Sequence, residues 1–542
     1  MRRRDFLKLT GAGVVTTAGL APEPLTGAAR QNQAHEPDYV VIGAGSSGCA
    51  VVNRLSADPA VRVVLLEAGE SGEADPAVTT PGRWVSLLGS RYDWGYATEP
   101  EPGLDDRRIP FPRGKAFGGS SAINAMTHVR GHRLCFDRWQ ALGNPGWGYD
   151  DLLPYFRRSE RHDGGSSMYR GAEGPLAVSR CVDPHAGHHA FLAAAAARGF
   201  RADATHDFNG PTQEGVAGFV QKNMLDGRRH SAAAAYLVPV LGRGNLDVRA
   251  RAQVTRLLVE GRRVVGADYV RDGRRETVRA RREVILCGGT VESPRLLMLS
   301  GIGPADHLRE HGIQVVADVP GVGQNLQDHL KLSVRWRGLT TLPGSTVTAG
   351  LFTHSGSGAS AAPPDLQFYI GRGVEQPDTF VTITVSLTQP QSRGEIRLRS
   401  KDAFAPPVIH ANYLQEGADL EALVRGVRLA RDFADTPAYE ALRGSEVDPG
   451  PQAMTAADIA RFVRRASDTI YHAAGACRMG PASDPGAVVD AALRVRGVEG
   501  LRVADASIMP KVVNATTHAA CVAIGEKCAD LLRGVEAAGR LT

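Results

Sequence analysis

Short runs of β-branched and apolar residues alternate along this chain with glycine turns and helical stretches. The first run, Tyr39–Ile42, passes through the turn "GAGSSG" into an apolar helical stretch, after which a second run covers Val61–Leu66. Apolar runs of this length that are bounded by turn residues are typical of buried strands. The order strand, helix, strand predicts a βαβ unit whose two strands lie parallel in one sheet.

The same kind of alternation recurs further along the chain. Residues 285–294, "ILCGGTVESP", predict a buried strand, a glycine turn and the start of a helix. Residues 249–269, "RARAQVTRLLVEGRRVVGADY", contain two runs that predict the strands of a hairpin, and the alanine-rich run "AFLAAAAARGF" (190–200) predicts a helix. These patterns predict a structure of sheets and helices in alternation.

Composition and charge narrow the class of protein. With 542 residues, of which 43% are hydrophobic, the chain can bury a sizeable core and is longer than one small domain. The net charge of +5 comes from 63 basic and 58 acidic residues, and the basic residues are scattered along the chain. Basic residues that are scattered in this way are typical of an ordinary solvent-exposed surface and not of a basic patch that binds nucleic acid. No nucleic-acid partner is therefore predicted.

The first residues of the chain have the features of a targeting signal. An arginine pair, Arg3 and Arg4, is followed by "DFLK", by a weakly apolar stretch from Leu9 to Leu20 and by a polar tail. This pattern resembles a twin-arginine export signal, although it also fits the basic start of an ordinary helix. We expect residues 1–35 to be this signal, so that the protein is exported to the periplasm, the cell envelope or the medium. No later stretch is apolar for long enough to cross a membrane.

The spacing of the cysteines and histidines does not indicate a metal site. Seven cysteines are spread along the chain without a C-x-x-C pair, which predicts mostly buried thiols: Cys49, Cys135, Cys181, Cys287, Cys477, Cys521 and Cys528. The cluster "HAGHH" (185–189) opens the alanine-rich helix and lacks an acidic residue at ligand spacing. We therefore predict no metal ligands.

The first βαβ unit carries a dinucleotide fingerprint. Gly43 permits the tight turn, Gly45 lets a pyrophosphate approach the helix N-terminus, and Gly48 lets helix and strand pack closely. Glu67 lies 19 residues after Gly48, where its carboxylate can accept ribose hydroxyls. The predicted cofactor-binding residues of this unit are Gly43, Gly45, Ser46, Ser47, Gly48 and Glu67. Both NAD and FAD fit this unit.

Other blocks of the sequence decide between the two cofactors. These are "RGKAFGGSSAINAMTHVRG" (113–131), "EVILCGGTVESPRLLMLSGIGP" (283–304), "GVGQNLQDHL" (321–330), "YHAAGACRMG" (471–480) and "LRVADASIMP" (501–510). They occur in the order expected of glucose-methanol-choline oxidoreductases, and the chain resembles that flavoprotein family from about residue 38 onward. The resemblance implies FAD as the cofactor.

The resemblance also implies which residues meet the cofactor. One loop contains the residues Gly118, Gly119, Ser121 and Asn124, and it corresponds to the family loop that lies along the flavin. A glycine turn before a buried helix would have the same sequence pattern. Some family members tether FAD through a histidine at the position of Ile123, so we expect FAD to be dissociable here. Further predicted contacts are Asp505 and Ala506 near the pyrophosphate and ribityl chain, and Val254 near adenine.

His472 in "YHAAGACRMG" is the predicted catalytic base. The small residues after it let the chain pass close to a ring, and the resemblance implies that this histidine faces flavin N5 and takes the substrate's hydroxyl proton while hydride passes to N5. An imidazole can take that proton near neutral pH. An isolated histidine of this kind could equally be a core residue bonded to a backbone carbonyl.

One position departs from the family pattern. Members usually carry histidine or asparagine six residues after the proline of "SIMP", where it shares the substrate hydroxyl with the first base. This chain has Thr516 there, and a threonine hydroxyl cannot act as a base near pH 7. His518 corresponds to a residue nearer the flavin's pyrimidine edge. The candidate catalytic residues are therefore His472, Thr516 and His518.

The resemblance implies two interleaved domains and an α/β and α+β fold class. A Rossmann-type FAD-binding domain would use residues 36–160, 221–325 and 464–542. Residues 161–220 and 326–463 would form a substrate-binding domain of antiparallel sheet capped by helices. The segment Ser355–Pro364 is expected to be a surface loop.

Three functions fit these observations. The first is an FAD-dependent alcohol dehydrogenase or oxidase, reoxidised by oxygen, a quinone or a carrier protein. The second is a flavin-containing lyase or other non-redox enzyme, which the threonine at position 516 keeps open. The third is a non-catalytic FAD-binding protein, against which the intact block around His472 argues. The substrate alcohol does not follow from the sequence.

Overall fold

The computed structural model describes residues 36–180, 183–342, 348–356, 361–370 and 380–535. The described residues from Pro37 onward form one compact unit. The predicted export signal (1–35) lies outside the described residues, as do Cys181 and part of the predicted surface loop Ser355–Pro364.

Ten α-helices occur among the described residues. Numbered in chain order, they are α1 Ser46–Leu55, α2 Pro76–Thr79, α3 Arg133–Ala141, α4 Tyr149–Ser159, α5 Ala186–Ala197, α6 Gly289–Leu299, α7 Ala305–Glu310, α8 Gly417–Ala434, α9 Ala456–Ala466 and α10 Thr517–Arg533. Short 3₁₀ helices cover Pro81–Leu87, Pro102–Leu104, Gly119–Ala122, Val238–Val240, Pro437–Tyr439 and Ala506–Ile508, and a π-helix covers Ala233–Leu237. In this part of the chain no helix is both long enough and apolar enough to span a bilayer.

The strands are numbered in the same way. They are β1 Tyr39–Ile42, β2 Val63–Leu66, β3 Glu160–His162, β4 Leu176–Val178, β5 Arg201–Ala202, β6 Val216–Phe219, β7 Met224–Leu225, β8 Arg228–Arg229, β9 Leu246–Arg249, β10 Ala252–Glu260, β11 Arg263–Arg271, β12 Arg274–Arg279, β13 Glu283–Leu286, β14 Ile302–Gly303, β15 Ala317–Asp318, β16 Gln324–Leu326, β17 Leu330–Gly338, β18 Ala349–Thr353, β19 Leu366–Ile370, β20 Phe380–Leu387, β21 Gly394–Arg397, β22 Val408–His410, β23 Arg443–Asp448, β24 Asp468–Thr469 and β25 Leu501–Val503.

A five-stranded parallel sheet in the order β25-β13-β1-β2-β9 forms one half of the fold. Tyr39 pairs with Val63 on one side and with Glu283 on the other, so the predicted βαβ unit is confirmed. The second strand begins at Val63 and not at Val61, because the amide of Val61 closes a turn onto the carbonyl of Asp58. Every residue of β1 and β2 is buried, as expected for a parallel sheet covered on both faces.

The second half is a mostly antiparallel sheet in the order β23-β17-β20-β19-β18-β6-β5, with β24 added to β17. Helix α8 packs on this sheet closely enough that a Cβ at Gly426 would meet Val385 Cγ1 at 2.5 Å. Phe433 of α8 lies edge-on to Phe368 of β19 and to Phe191 of α5, which fills the space between sheet and helices. The predicted fold class, a Rossmann-type unit combined with a helix-capped antiparallel sheet, is confirmed; the domain boundaries stay a prediction.

Two local predictions have clear outcomes. The hairpin expected at residues 249–269 is formed by β10 and β11, and β12 extends it to three strands. Six cysteines lie in the described residues, and all six are free and buried, as the spacing predicted: Cys49, Cys135, Cys287, Cys477, Cys521 and Cys528.

Candidate active site

A cavity of about 390 Å³ lies between the two sheets. Its lining comes from the glycine turn after β1, from the ends of β2, β13 and β25, from the loop of residues 112–127 and from β17 and β19 of the antiparallel sheet. The carboxyl ends of parallel strands are where α/β proteins bind ligands. All predicted cofactor-binding residues except Gly48 and Gly118 line this cavity, and so do His472, Thr516 and His518.

The three fingerprint glycines have different surroundings. Gly43 has φ +102°, and a Cβ there would meet the carbonyl oxygen of Cys287 at 2.4 Å. A Cβ at Gly48 would meet the carbonyl oxygen of Gly43 at 2.0 Å, so this glycine is required by helix–strand packing. At Gly45 the nearest atom would be 3.7 Å away, which leaves room above the N-terminus of α1. That N-terminus carries no side-chain cap, so its amides can receive a phosphate.

Glu67 stands at the carboxyl end of β2 with its carboxylate fixed in place. Oε2 accepts from the amide of Ala44 at 2.7 Å, and Oε1 accepts from the amide of Gly69 at 2.8 Å. Burial raises the pKa of this carboxyl, while the two backbone amides act in the opposite direction. The remaining lone pairs can accept the hydroxyls of a ribose.

The loop after Arg113 runs directly beneath the fingerprint turn. Gly119 has φ +52°, and a Cβ there would meet Cα of Gly45 at 2.8 Å. Ser121 donates to the carbonyl of Gly118 at 2.6 Å, and Asn124 Oδ1 accepts from Arg229 Nη1 at 2.8 Å. The loop forms a 3₁₀ helix, Gly119–Ala122, and the next helix, α3, begins only at Arg133.

Asp505 joins the end of β25 to the start of α6. Its Oδ2 accepts from the amide of Gly289 at 2.9 Å and from Ser293 Oγ at 2.6 Å, and its Oδ1 accepts from the amide of Ser507 at 2.8 Å. Burial raises the pKa of this carboxyl. These bonds fix the backbone of Ala506 at the cavity surface, and Val254 of β10 lines another part of the same cavity.

These residues fit a flavin adenine dinucleotide. The open space at Gly45, the uncapped helix N-terminus and the fixed carboxylate of Glu67 provide for the pyrophosphate and ribose. Ile123 is buried and lines the cavity, and its hydrocarbon side chain has no atom that could form a covalent bond to the ring. The site residues named from sequence stay predictions, although the fold brings them to one cavity.

His472 faces this cavity and contacts a second histidine. Its Nδ1 lies 3.0 Å from Nδ1 of His329, which the sequence analysis did not single out. Burial lowers the pKa of His472 well below its usual value, and the neighbouring His329 and Arg113 act in the same direction. Burial also lowers the pKa of His329, to about 3. Both rings are therefore neutral near pH 7.

Neutral rings at this distance share one proton between the two Nδ1 atoms. The backbone carbonyls of Thr388 and Val513 act on His329 in the direction that raises its pKa. The buried Nε2 of His329 has no hydrogen-bond partner among the described residues, so no contact of that atom fixes the tautomer of this ring. In the arrangement where His472 Nδ1 donates and His329 Nδ1 accepts, Nε2 of His472 keeps a free lone pair.

The backbone around His472 is held by Asp328, another residue that sequence reasoning missed. Asp328 Oδ1 accepts from the amides of His472 at 2.8 Å and of His329 at 2.9 Å. Its Oδ2 accepts from Tyr413 Oη and from Thr469 Oγ1. The signal was the adjacent pair Asp328-His329 in "NLQDHL", a carboxylate next to a histidine.

Tyr471 adopts an uncommon backbone conformation immediately before His472. Its φ is +70°, in the region that non-glycine residues rarely adopt. Thr469 Oγ1 accepts from its amide at 2.7 Å, and Arg113 Nη2 donates to its carbonyl. The surrounding bonds thus fix a strained residue next to the candidate base.

Thr516 precedes α10 and its hydroxyl is engaged with backbone. Oγ1 lies 3.0 Å from the carbonyl of Val129 and 3.2 Å from that of Thr127, and its single proton serves these acceptors. A substrate hydroxyl could therefore only donate to Thr516. The hydrogen bonds of Thr516 therefore agree with the prediction that its hydroxyl does not act as a base near pH 7.

His518 occupies the first turn of α10 beside the fingerprint. Its Nδ1 lies 2.8 Å from Ser46 Oγ, and its buried Nε2 has no hydrogen-bond partner among the described residues. Burial lowers its pKa to about 3, so the ring is neutral. An unpartnered ring nitrogen at the cavity surface suits contact with a cofactor edge better than proton abstraction next to His472.

Family models, curated relatives and solved structures all relate this chain to the same kind of enzyme. Two family models, each described as GMC oxidoreductase, match residues 37–331 and 390–525. The mitochondrial choline dehydrogenase of Mus musculus is 41% identical, covering 98% of this chain and 95% of that protein. The oxygen-dependent choline dehydrogenase of Sinorhizobium medicae is 42% identical, covering 93% of this chain and 97% of that protein. The crystal structure of pyridoxine 4-oxidase from Mesorbium loti aligns with a TM-score of 0.87 and 34% identity, covering 92% of this chain and 99% of that one.

Proposed function

From the premise that this chain belongs to the GMC oxidoreductase family, we propose that His472 is the base that takes the hydroxyl proton from its alcohol substrate. The chain is an FAD-dependent oxidoreductase that oxidises alcohols, as its relatives across the full length are. The observation that carries the proposal is the contact between Nδ1 of His472 and Nδ1 of His329 at 3.0 Å.

The chemistry assigns a separate role to each group. FAD, when bound, accepts the hydride from the alcohol carbon. Nε2 of His472 takes the hydroxyl proton, and the carbon–oxygen single bond becomes a carbonyl, so that one proton and one hydride leave the substrate. We propose that Nδ1 of His472 holds the ring's proton toward His329, which keeps the lone pair on Nε2 free.

The cofactor is proposed to be bound without a covalent link. Support comes from Ile123, which stands at the cavity where a tethering side chain would be needed. Precipitating the purified protein with acid should release all of the yellow flavin into the supernatant. Flavin that stays with the pellet would contradict this part of the proposal.

The relatives suggest substrates with a primary hydroxyl group. Two are named for choline and one structural neighbour for pyridoxine. We place this chain's substrate among small alcohols of that type. The electron acceptor is oxygen, a quinone or a carrier protein, and the name of one relative states oxygen dependence.

The experiment is an anaerobic absorbance titration of the FAD-loaded protein with primary, secondary, aryl and sugar alcohols. Loss of the oxidised flavin absorbance with one of these classes is expected, and admitting air afterwards separates an oxidase from a dehydrogenase. If dithionite reduces the flavin but no alcohol does, alcohol oxidation by this chain is contradicted, and a non-redox reaction such as lyase chemistry takes its place.

Export through the twin-arginine pathway is proposed as well. Its support is the pair Arg3 and Arg4 followed by a weakly apolar stretch. Fractionation of cells that express the full chain should find the protein outside the cytoplasm. The double substitution of Arg3 and Arg4 to lysine should retain it inside, and unchanged distribution would contradict the proposal.

A further inference from the structure

A buried arginine lies behind the loop of residues 112–127 that lines the cavity. Arg229 of β8 is only 4% exposed, and its Nε donates to the carbonyl of Val78 at 2.8 Å. Its Nη1 lies 3.2 Å from the carbonyl of Ser121, 2.6 Å from the carbonyl of Asn124 and 2.8 Å from Asn124 Oδ1. Arg229 therefore ties the loop to helix α2.

None of the groups that this guanidinium contacts carries a negative charge. All four oxygens belong to amides, and the buried Nη2 has no hydrogen-bond partner among the described residues. Burial lowers the pKa of Arg229 to about 10, although the charge of Glu73 acts in the raising direction. The Glu73 carboxylate itself accepts from Ser231 Oγ at 2.6 Å. Arg229 is thus a buried cation at neutral pH that is surrounded by neutral oxygens, and such a cation favours a negative charge nearby.

The guanidinium also fixes the direction of the side-chain amide of Asn124. A guanidinium only donates hydrogen bonds, and so does the backbone amide of Met126, which lies 3.0 Å from the same Oδ1 atom. The atom that faces these two donors must therefore be the oxygen and not the nitrogen. Because Asn124 lines the cavity and its Nδ2 amino group points away from both donors, that amino group is available to a ligand there.

The loop that Arg229 holds reaches the end of the cavity where the reaction occurs. The carbonyl of Thr127, at the end of this loop, is 3.2 Å from Thr516 Oγ1, and Thr516 and His472 line the same cavity. Burial, then His128 and then Arg229 lower the pKa of His518, which also lines the cavity. The positive charge of the arginine therefore acts on the cavity wall at this end.

Reduction of the cofactor creates a negative charge in this cavity. Transfer of a hydride to the flavin ring adds two electrons and one proton, and therefore one negative charge, while the hydroxyl proton of the alcohol goes to the base. A fixed cation and a fixed hydrogen-bond donor stabilise a charge that develops beside them in a site from which water is excluded.

We propose that Arg229 is a positioning residue that makes the bound flavin easier to reduce. Its charge stabilises the negative charge of the reduced ring, and its hydrogen bond to Oδ1 turns the amino group of Asn124 toward that ring. The inference goes beyond the proposed function, because it concerns the bound FAD and holds for whichever alcohol is the substrate.

The midpoint potential of the bound flavin tests this role, measured by equilibration with a dye of known potential and without an alcohol. In Arg229→Met, binding of the reduced flavin should weaken by about tenfold or more relative to the oxidised flavin. For this two-electron couple, that change is a midpoint potential lower by about 30 mV or more. Arg228→Met removes the same charge from the exposed neighbouring residue of β8, and it should leave the potential unchanged.

The potential separates this role from a merely structural one. If Arg229 only holds the loop in place, Arg229→Met weakens the binding of both redox states by the same factor, and the potential stays at the wild-type value. That result would overturn the inference.

A second variant serves if Arg229→Met does not retain FAD. Asn124→Asp places a carboxylate beside Arg229, which neutralises the cation where it stands and removes the Nδ2 donor. Its potential should also be lower by about 30 mV or more, and a wild-type potential in this variant would overturn the inference.

The outcomes distinguish this inference from the proposed function. Because the potential is measured without an alcohol, a flavin that no alcohol reduces would contradict alcohol oxidation and leave this test in force. A wild-type potential in Arg229→Met would overturn the role of the arginine while alcohol oxidation stands.

Discussion

Nδ1 of His329 lies 3.0 Å from Nδ1 of His472, and the two rings stand almost perpendicular, at 89°. The two histidines are separated by 143 positions in sequence. Because both rings are neutral, the contact requires one Nδ1 to donate and the other to accept. The direction in which His472 donates leaves its Nε2 ready to take a proton, and our proposal requires that direction.

His329 should therefore act as a positioning residue for His472. His472 becomes an imidazolium when it takes the substrate proton, and a hydrogen bond to a charged group contributes about 1.5 to 3 kcal/mol. His329→Leu should retain FAD and slow flavin reduction about tenfold to a hundredfold. His329→Asn, which keeps an acceptor near the position of Nδ1, should recover part of this rate. Equal rates for the leucine variant and the wild type would contradict the role.

The pH dependence of flavin reduction follows from the lowered pKa of His472. Burial, His329 and Arg113 all disfavour its imidazolium form, so the base stays neutral well below pH 6.5. The rate of flavin reduction, measured anaerobically at saturating alcohol, should be constant through neutral pH. It should fall only as the pH is lowered beyond the usual titration range of histidine. An acidic limb centred above pH 6.5 would contradict this assignment.

Thr516 should have a small effect on catalysis. Its hydroxyl proton serves backbone carbonyls, and the bond that it could accept from a substrate contributes about 1 kcal/mol. Thr516→Val should slow flavin reduction by less than about tenfold. A loss as large as that expected for a His472 variant would show that the threonine takes part directly in the proton transfer.

A buried ion-pair cluster should dominate the response of stability to acid. Glu160 accepts from His128 Nε2 at 2.8 Å, from Arg130 Nε at 2.9 Å and from Arg170 Nη1 at 3.1 Å. Burial alone would raise the pKa of Glu160, but Arg130 and Arg170, and then His128, hold it well below its ordinary value.

Because its folded pKa is lowered, the stabilisation from Glu160 is fully present above its unfolded pKa and is lost as pH falls below it. Glu160→Gln should destabilise the protein by about 3 to 5 kcal/mol, since it leaves buried Arg130 without its carboxylate and leaves buried Arg170 with Asp207 alone. Thermal unfolding at pH 7 should show a midpoint several degrees lower, with a smaller difference from wild type at acid pH. A pH-independent difference would contradict this account. Glu421→Gln, at an exposed position, is the matched control.

Local patterns made much of the cofactor half predictable. The strand, glycine turn and helix around Gly43 follow from neighbouring residues, and Glu67 follows from the length of one βαβ unit. His472 and the positions around Thr516 came from resemblance to a family and not from residue spacing. The structure adds to each of them the partners that set its chemistry.

The rest of the site depends on contacts between distant segments. His329 meets His472 because β17 begins beside the segment that contains the base, and Lys222 reaches Thr127 and Thr348 from another part of the chain. No period or motif in the sequence expresses such juxtapositions. The hydroxyls of Thr127 and Thr348 both accept from Lys222, and this arrangement is visible only in the folded protein.

The most direct test of the central claim is anaerobic stopped-flow reduction of the FAD-loaded His472→Ala variant beside the wild type, with an alcohol that bleaches the wild-type flavin. The variant should keep its yellow flavin and its reduction by dithionite, but reduction by the alcohol should be slower by about a hundredfold or more. A variant that the alcohol reduces as fast as the wild type would show that His472 is not the base.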